Sequence, residues 1–184
     1  MLALTIVDSI NNLVFQTPRL LIEKLTDKYF DNCLAHELDP VMQKYIKDVP
    51  TLDEAKKLVK SSIKPWTGEE GQWVTFALVD KVDGNYIGEL FCRYESIDYQ
   101  RIEIGFRLST LYQQKGLMTE ALAEFLRQLT QIAQPTKFIG YCINDNMASK
   151  KTMTKQGMIQ EGILRKHSTV NGVWYDECVM GLVL

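Results

Sequence analysis

Between residues 100 and 143 two short apolar segments flank a long helical pattern, and this unit constrains the fold more than any other feature of the chain. Gln100 to Leu108 alternates: Ile102, Ile104, Phe106 and Leu108 fall on one face of an extended strand, Glu103, Gly105 and Arg107 on the other. From Gly116 to about Ala133, Met118, Leu122, Phe125, Leu129 and Ile132 recur at helical spacing, and Pro135 stops the pattern. Thr136 to Ile143 is β-branched and aromatic, hence a strand. A strand, a helix and a returning strand require a crossover. The segments 100–108 and 136–143 are therefore expected to be parallel neighbours joined by a right-handed connection.

The other elements read from local signals. Arg19 to Leu25 suits a first strand. Thr26 caps a helix to about His36, with Asp27 in its first turn. Thr51-Leu-Asp-Glu54 has the form of a capping box and opens a helix to about Lys64. Gln72–Val79 and Tyr86–Tyr94 flank the turn Asp83-Gly84-Asn85 and should form an antiparallel hairpin with the strand at 100–108 next to them. A short helix over Asn146–Gln156 should end at Gly157. Strands near Met158–His167 and Val173–Leu182 flank Asn171-Gly172, a strong hairpin signal. Residues 1–16 carry no firm pattern and are expected to be a poorly specified arm before one domain spanning 17–184. The expected class is mixed α/β (α+β): a central, mostly antiparallel seven-stranded sheet with one parallel pair and about four helices.

Composition narrows the function. The 184 residues are 46% hydrophobic, enough for a core, and the formal charge of -2 is not that of a protein living on a nucleic-acid backbone. No run of about 18 apolar residues exists, so no membrane span is expected. Met1–Val7 is apolar, but the first basic residue is Arg19, which argues against a secretory leader. Cys33, Cys92, Cys142 and Cys178 are far apart, with only His36 and His167 as further ligand types; neither a disulfide framework nor a metal site is expected. The reading is a cytoplasmic protein without metal, monomeric or homodimeric.

Chemistry concentrates at Leu108 to Thr119 (LSTLYQQKGLMT), where a strand ends and a helix begins at Gly116. The first N–H groups of a helix lack internal partners and, with the helix dipole, attract anions. Lys115 adds positive charge, and Gly116 permits close backbone approach. The loop reads either as a phosphate or diphosphate cradle or as an ordinary solvated helix start.

Gln113-Gln114-Lys115-Gly116-Leu117-Met118 resembles the Q/R-x-x-G-x-G/A loop of the GNAT acetyltransferases, with Met118 standing where Gly or Ala is usual. Its side chain is expected to turn into the helix's apolar stripe. Glu103-Ile-Gly-Phe-Arg-Leu108 resembles the E-I-G-aromatic-x-L strand of the ribosomal-protein-alanine (RimJ/RimL-type) branch. Thr17-Pro-Arg-Leu20, Asn146-Met-Ala-Ser149 with Lys155-Gln-Gly-Met158, Gly162-Ile-Leu-Arg165 and Trp174-Tyr-Asp176 resemble further motifs of that branch, in the same order.

The resemblance implies an acetyl-CoA-dependent N-acetyltransferase that acts on a primary amine, either a protein N-terminus or a small molecule. Acetyl-CoA would lie between splayed parallel strands, held by Phe106, Arg107, Leu108, Gln113, Gln114, Lys115, Gly116, Leu117, Met118, Thr119, Asn146 and Ser149. Glu103 is the first candidate for the base that deprotonates the amine, its alternative being an exposed strand carboxylate or a salt-bridge partner of Arg101 or Arg107; Glu89 is a second candidate. Many relatives carry a Tyr where Met153 stands, so Ser149 is the candidate donor to the CoA sulfur; the other reading makes Asn146 a helix cap and Ser149 a first-turn residue. His36 and His167 read as structural. The competing function is a GNAT-like module that binds CoA without turnover.

Overall fold

In the computed structural model, which describes residues 2–184, the chain runs α1 (Leu4–Asn11), β1 (Val14–Gln16), β2 (Leu20–Lys24), α2 (Phe30–Leu38), α3 (Pro40–Gln43), α4 (Leu52–Ile63), β3 (Val74–Asp80), β4 (Tyr86–Ser96), β5 (Arg101–Leu108), α5 (Leu117–Ala133), β6 (Lys137–Ile143), α6 (Met147–Thr154), β7 (Ile159–Val170) and β8 (Val173–Val183). Short 3-10 turns at Asp27–Tyr29 and Thr110–Tyr112 lead into α2 and toward α5. The strands form one sheet in the order β1-β2-β3-β4-β5-β6-β8-β7. Every pairing is antiparallel except β5 with β6. No described helix is long and apolar enough to cross a membrane.

The class matches expectation, but the counts are corrected. The sheet has eight strands instead of seven, and the described helices number six instead of about four. One extra helix and the extra strand lie in the first sixteen residues, expected to be an arm. There α1 is tied down by Asn11, whose side chain donates to the Trp66 carbonyl at 2.8 Å and accepts from Trp66 N–H at 2.8 Å. β1 adds to the sheet edge through Phe15 opposite Ile22. Both elements are short and draw their order from distant partners, so local propensity does not announce them. The other extra helix, α3, is a single turn capped by Asp39, which accepts from Val41 N–H at 2.8 Å, with Pro40 at its first position.

Local chemistry explains the remaining elements. Thr51 Oγ1 accepts from Glu54 N–H while Glu54 Oε2 accepts from Thr51 N–H at 2.8 Å, the reciprocal cap read from sequence, worth about 1 kcal/mol. At the β7–β8 hairpin, Asn171 and Gly172 both take positive φ (52° and 75°), as a tight primed turn requires.

Two apolar layers sandwich the sheet. On one face α5 sinks Ala121, Leu122, Phe125 and Leu129, all 0% exposed, onto Ile22, Phe76, Ile104 and Phe138. Phe76 and Phe125 meet edge to face, with ring centroids 5.1 Å apart. On the other face α2 and α4 cover Leu25, Ala77 and Val79 with Cys33 and Val59. All four cysteines are free and buried.

Candidate active site

The parallel pair is short. Arg101, Ile102 and Glu103 pair with Lys137, Phe138 and Ile139, and there the ladder ends. β5 continues against β4 as far as Leu108 opposite Gly88, and β6 continues against β8 as far as Ile143 opposite Glu177. Each strand keeps its outer partner while the two part from each other. A wedge opens whose walls are the β5 backbone from Ile104 and the β6 backbone from Gly140. Unpaired backbone groups on such edges are donors and acceptors awaiting a partner.

At the broad end of the wedge the chain passes through Thr110–Tyr112 and a loop to α5. Gln114 and Gly116 both take positive φ (61° and 76°), so the loop curls before the helix starts. Gly116 is the N-cap of α5 and has no side-chain cap, which leaves the helix's first N–H groups unclaimed by protein side chains. Gln113 Nε2 donates to the Leu108 carbonyl at 2.9 Å and pins the loop to the strand end.

A cavity of about 710 Å³ lies at the broad end of this wedge, between the end of β5, the loop before α5 and α6. Phe106, Arg107 and Leu108 line it from β5, and Gln113, Gln114, Gly116, Leu117, Met118 and Thr119 from the loop and α5. Asn146 and Ser149 line it from α6. Of the residues assigned to the coenzyme from sequence, only Lys115 is not in the wall: its ammonium lies over the Tyr112 ring, 5.1 Å from the centroid. Met118 reaches both the cavity and the core and is 7% exposed, as its place in the apolar stripe implied. Asn146 caps α6 by accepting from Ser149 N–H at 3.1 Å. Val41, Met42, Lys44, Tyr45 and Ile46 complete the wall; they fall in the segment 37–50, which the family resemblance places beside the acceptor, whereas Thr152 and Lys155 on the α6 side carried no assignment from sequence.

Glu103 sits at the apex of the wedge, on the last paired residue of β5, and does not line the cavity. Its partner is Arg93 on β4, 2.6 Å away, and not Arg101 or Arg107. Burial pushes the Glu103 carboxyl above its ordinary value, with the Arg93 charge opposing. Glu89 is fully buried and accepts from Arg107 Nε at 2.5 Å and Nη2 at 3.1 Å, with His36 Nδ1 at 3.0 Å and the Tyr86 hydroxyl also against it. Burial alone would raise its pKa; the Arg107 charge and the surrounding hydrogen bonds outweigh burial and hold it at about 2. A carboxylate so firmly ionised is a poor proton acceptor at neutral pH. Its role is to fix Arg107, which also pairs with Glu37 at 2.8 Å and ties the cavity wall to α2. His167 approaches only Glu177, at 3.8 Å.

A strand pair that parts, a curled loop and an uncapped helix start are together built to hold a long ligand with an anionic middle. The family model of the acetyltransferase (GNAT) domain matches residues 19–159. A Bacillus subtilis protein, the uncharacterized N-acetyltransferase YnaD, is 27% identical over 162 residues, 88% of this chain and 91% of its own. RimL, the ribosomal L7/L12 alpha-N-protein acetyltransferase solved with coenzyme A, superposes with a TM-score of 0.82 at 16% identity, over 94% of this chain and 98% of its own. The microcin C7 self-immunity acetyltransferase MccE, solved with acetyl-CoA and AMP, gives 0.79 at 20% identity, over 91% and 94%. The chain belongs to the GNAT acetyltransferase family, whose members use acetyl-CoA as acyl donor.

Proposed function

We propose that the protein transfers the acetyl group of acetyl-CoA directly to a primary amine, on a protein N-terminus or a small molecule. The observation that carries this reading is the wedge: it ends at the curled loop and α5, so one cavity offers the β5 edge to a pantetheine arm and free N–H groups to a diphosphate. An N–H near Leu108 would hold the oxyanion as the amine nitrogen attacks the thioester carbon; such donors contribute about 3 kcal/mol to lowering the barrier. The C–S bond then breaks, and the thiolate takes the proton that the attacking nitrogen sheds as it becomes an amide. Ser149 lines the cavity on the α6 side and in this reading donates a hydrogen bond to the sulfur.

The attacking amine must first lose a proton. Glu103 serves this step through water, because its carboxyl lies outside the cavity wall; burial raises the proton affinity of its ionised form. We place the reaction in the cytoplasm; among the described residues no group of three or more His, Cys, Asp and Glu side chains could hold a metal ion.

A second reading, a CoA-binding module without turnover, is favoured by Met153. It occupies the place of the Tyr that protonates the thiolate in many relatives, yet it is 1% exposed and packs against Gly140 beneath β6. The test is release of CoA thiol from acetyl-CoA with a panel of primary amines. Release with any amine, together with mass spectrometry of the acetylated product, supports the enzyme; stabilisation by CoA with no release for any of them supports the module.

A further inference from the structure

The Thr17-Pro-Arg-Leu20 segment has no part in the steps above, yet its arginine ends at the cradle. Arg19 N–H donates to Glu120 Oε1 at 3.0 Å, and its Nε donates to Oε2 at 2.7 Å. Nη2 stands 2.6 Å from the same oxygen. The remaining nitrogen, Nη1, donates to the Lys115 carbonyl at 2.9 Å. A Cβ added to Gly116 would lie 3.7 Å from Nη2, so the guanidinium flanks the glycine on which the helix begins. The turn carrying Arg19 is itself held, with Leu20 N–H donating to Thr17 Oγ1 at 3.0 Å and Lys81 Nζ donating to the Thr17 carbonyl at 3.1 Å.

Two features of the cradle work against an anion. Glu120 lies in the first turn of α5, where a carboxylate repels a phosphate drawn to the same N–H groups. The Lys115 carbonyl, one residue before Gly116, carries partial negative charge at the loop. One guanidinium answers both, pairing with the carboxylate and drawing the carbonyl toward itself; the planar fork makes these bonds at once, which a lysine cannot. We propose that Arg19 is the positioning residue of the diphosphate cradle, acting through Lys115 and Glu120 rather than on the reacting atoms. The proposal rests on the coenzyme reading of the cavity.

The test is calorimetric titration of the full chain with CoA and, separately, with pantetheine, which lacks the nucleotide and the diphosphate. Arg19→Met is expected to weaken CoA by ~10-fold while leaving pantetheine within about 2-fold. Adding Glu120→Gln to that variant is expected to restore part of the CoA affinity, because the unneutralised carboxylate is gone; Arg19→Lys is expected to fall between wild type and Arg19→Met. Equal losses for both ligands would assign Arg19 to general fold stability and overturn the proposal. So would undiminished CoA binding by Arg19→Met, or no recovery in the double variant. Absence of CoA heat with the wild-type chain would sink the coenzyme reading and the proposal with it, whereas wild-type binding that Arg19→Met retains sinks the proposal alone.

Discussion

Replacing Glu89 by Gln is the sharpest test of the electrostatics behind the cavity wall. The carboxylate is 0% exposed, and Arg107 and Tyr86 present only donors to it. An amide keeps the shape but turns one end into a donor and removes the charge opposite Arg107, itself buried and left with Glu37 as its remaining ionic partner. Moving a carboxyl from 4.5 to about 2 on folding corresponds to roughly 3 kcal/mol. This agrees with the about 3–5 kcal/mol lost when one member of a buried pair is removed. For a domain of this size that loss lowers the melting temperature by roughly 6–12 °C. Because the folded-state pKa is depressed, this stabilisation is fully present above 4.5 and is lost as the pH falls through about 2. Urea unfolding of wild type and Glu89→Gln should therefore show a constant gap near neutral pH that shrinks below 4.5. A gap under about 1 kcal/mol, or one that widens on acidification, would refute the assignment of Glu89 as the ionised anchor of Arg107.

Gly116→Glu should abolish CoA binding in calorimetry while the protein stays folded by circular dichroism, since the new side chain puts a carboxylate at the helix start and a non-glycine residue at φ 76°; retained affinity removes the loop from the site. Glu103→Gln should erase the acid limb of the pH–rate profile, a limb displaced upward in the wild type by burial of Glu103; an unchanged profile leaves Glu103 as the Arg93 partner only. Ser149→Ala should lower turnover by ~10-fold with little change in CoA affinity, as expected for one lost hydrogen bond to a developing charge; an equal fall in CoA affinity would assign the residue to coenzyme binding or to helix stability.

Signals confined to neighbouring residues were legible. The apolar period of Met118, Leu122, Phe125 and Leu129 defined α5, the Thr51–Glu54 box opened α4, and Asn171-Gly172 turned β7 into β8. The parallel crossover followed because strand, helix and strand admit one economical return. The loop at Gln113–Met118 was legible for the same reason: a glycine before an amphipathic helix marks its start wherever the chain occurs.

Only the tertiary structure decided where the β5–β6 ladder stops, since each strand is held by a different outer neighbour and neither strand's own residues record the parting. It also chose Arg93 over Arg101 and Arg107 as the partner of Glu103, because β4 and β5 place the two directly opposite each other. It brought Val41, Met42, Lys44, Tyr45 and Ile46 to the cavity, ordered β1 and α1, and carried Arg19 to Lys115 and Glu120 across about a hundred residues of chain. Caps, turns and periodicities are energies of adjacent residues and can be read along the chain. The partner of a buried charge and the end of a strand pairing are set by which surfaces meet, and those exist only once the sheet and its helices are assembled.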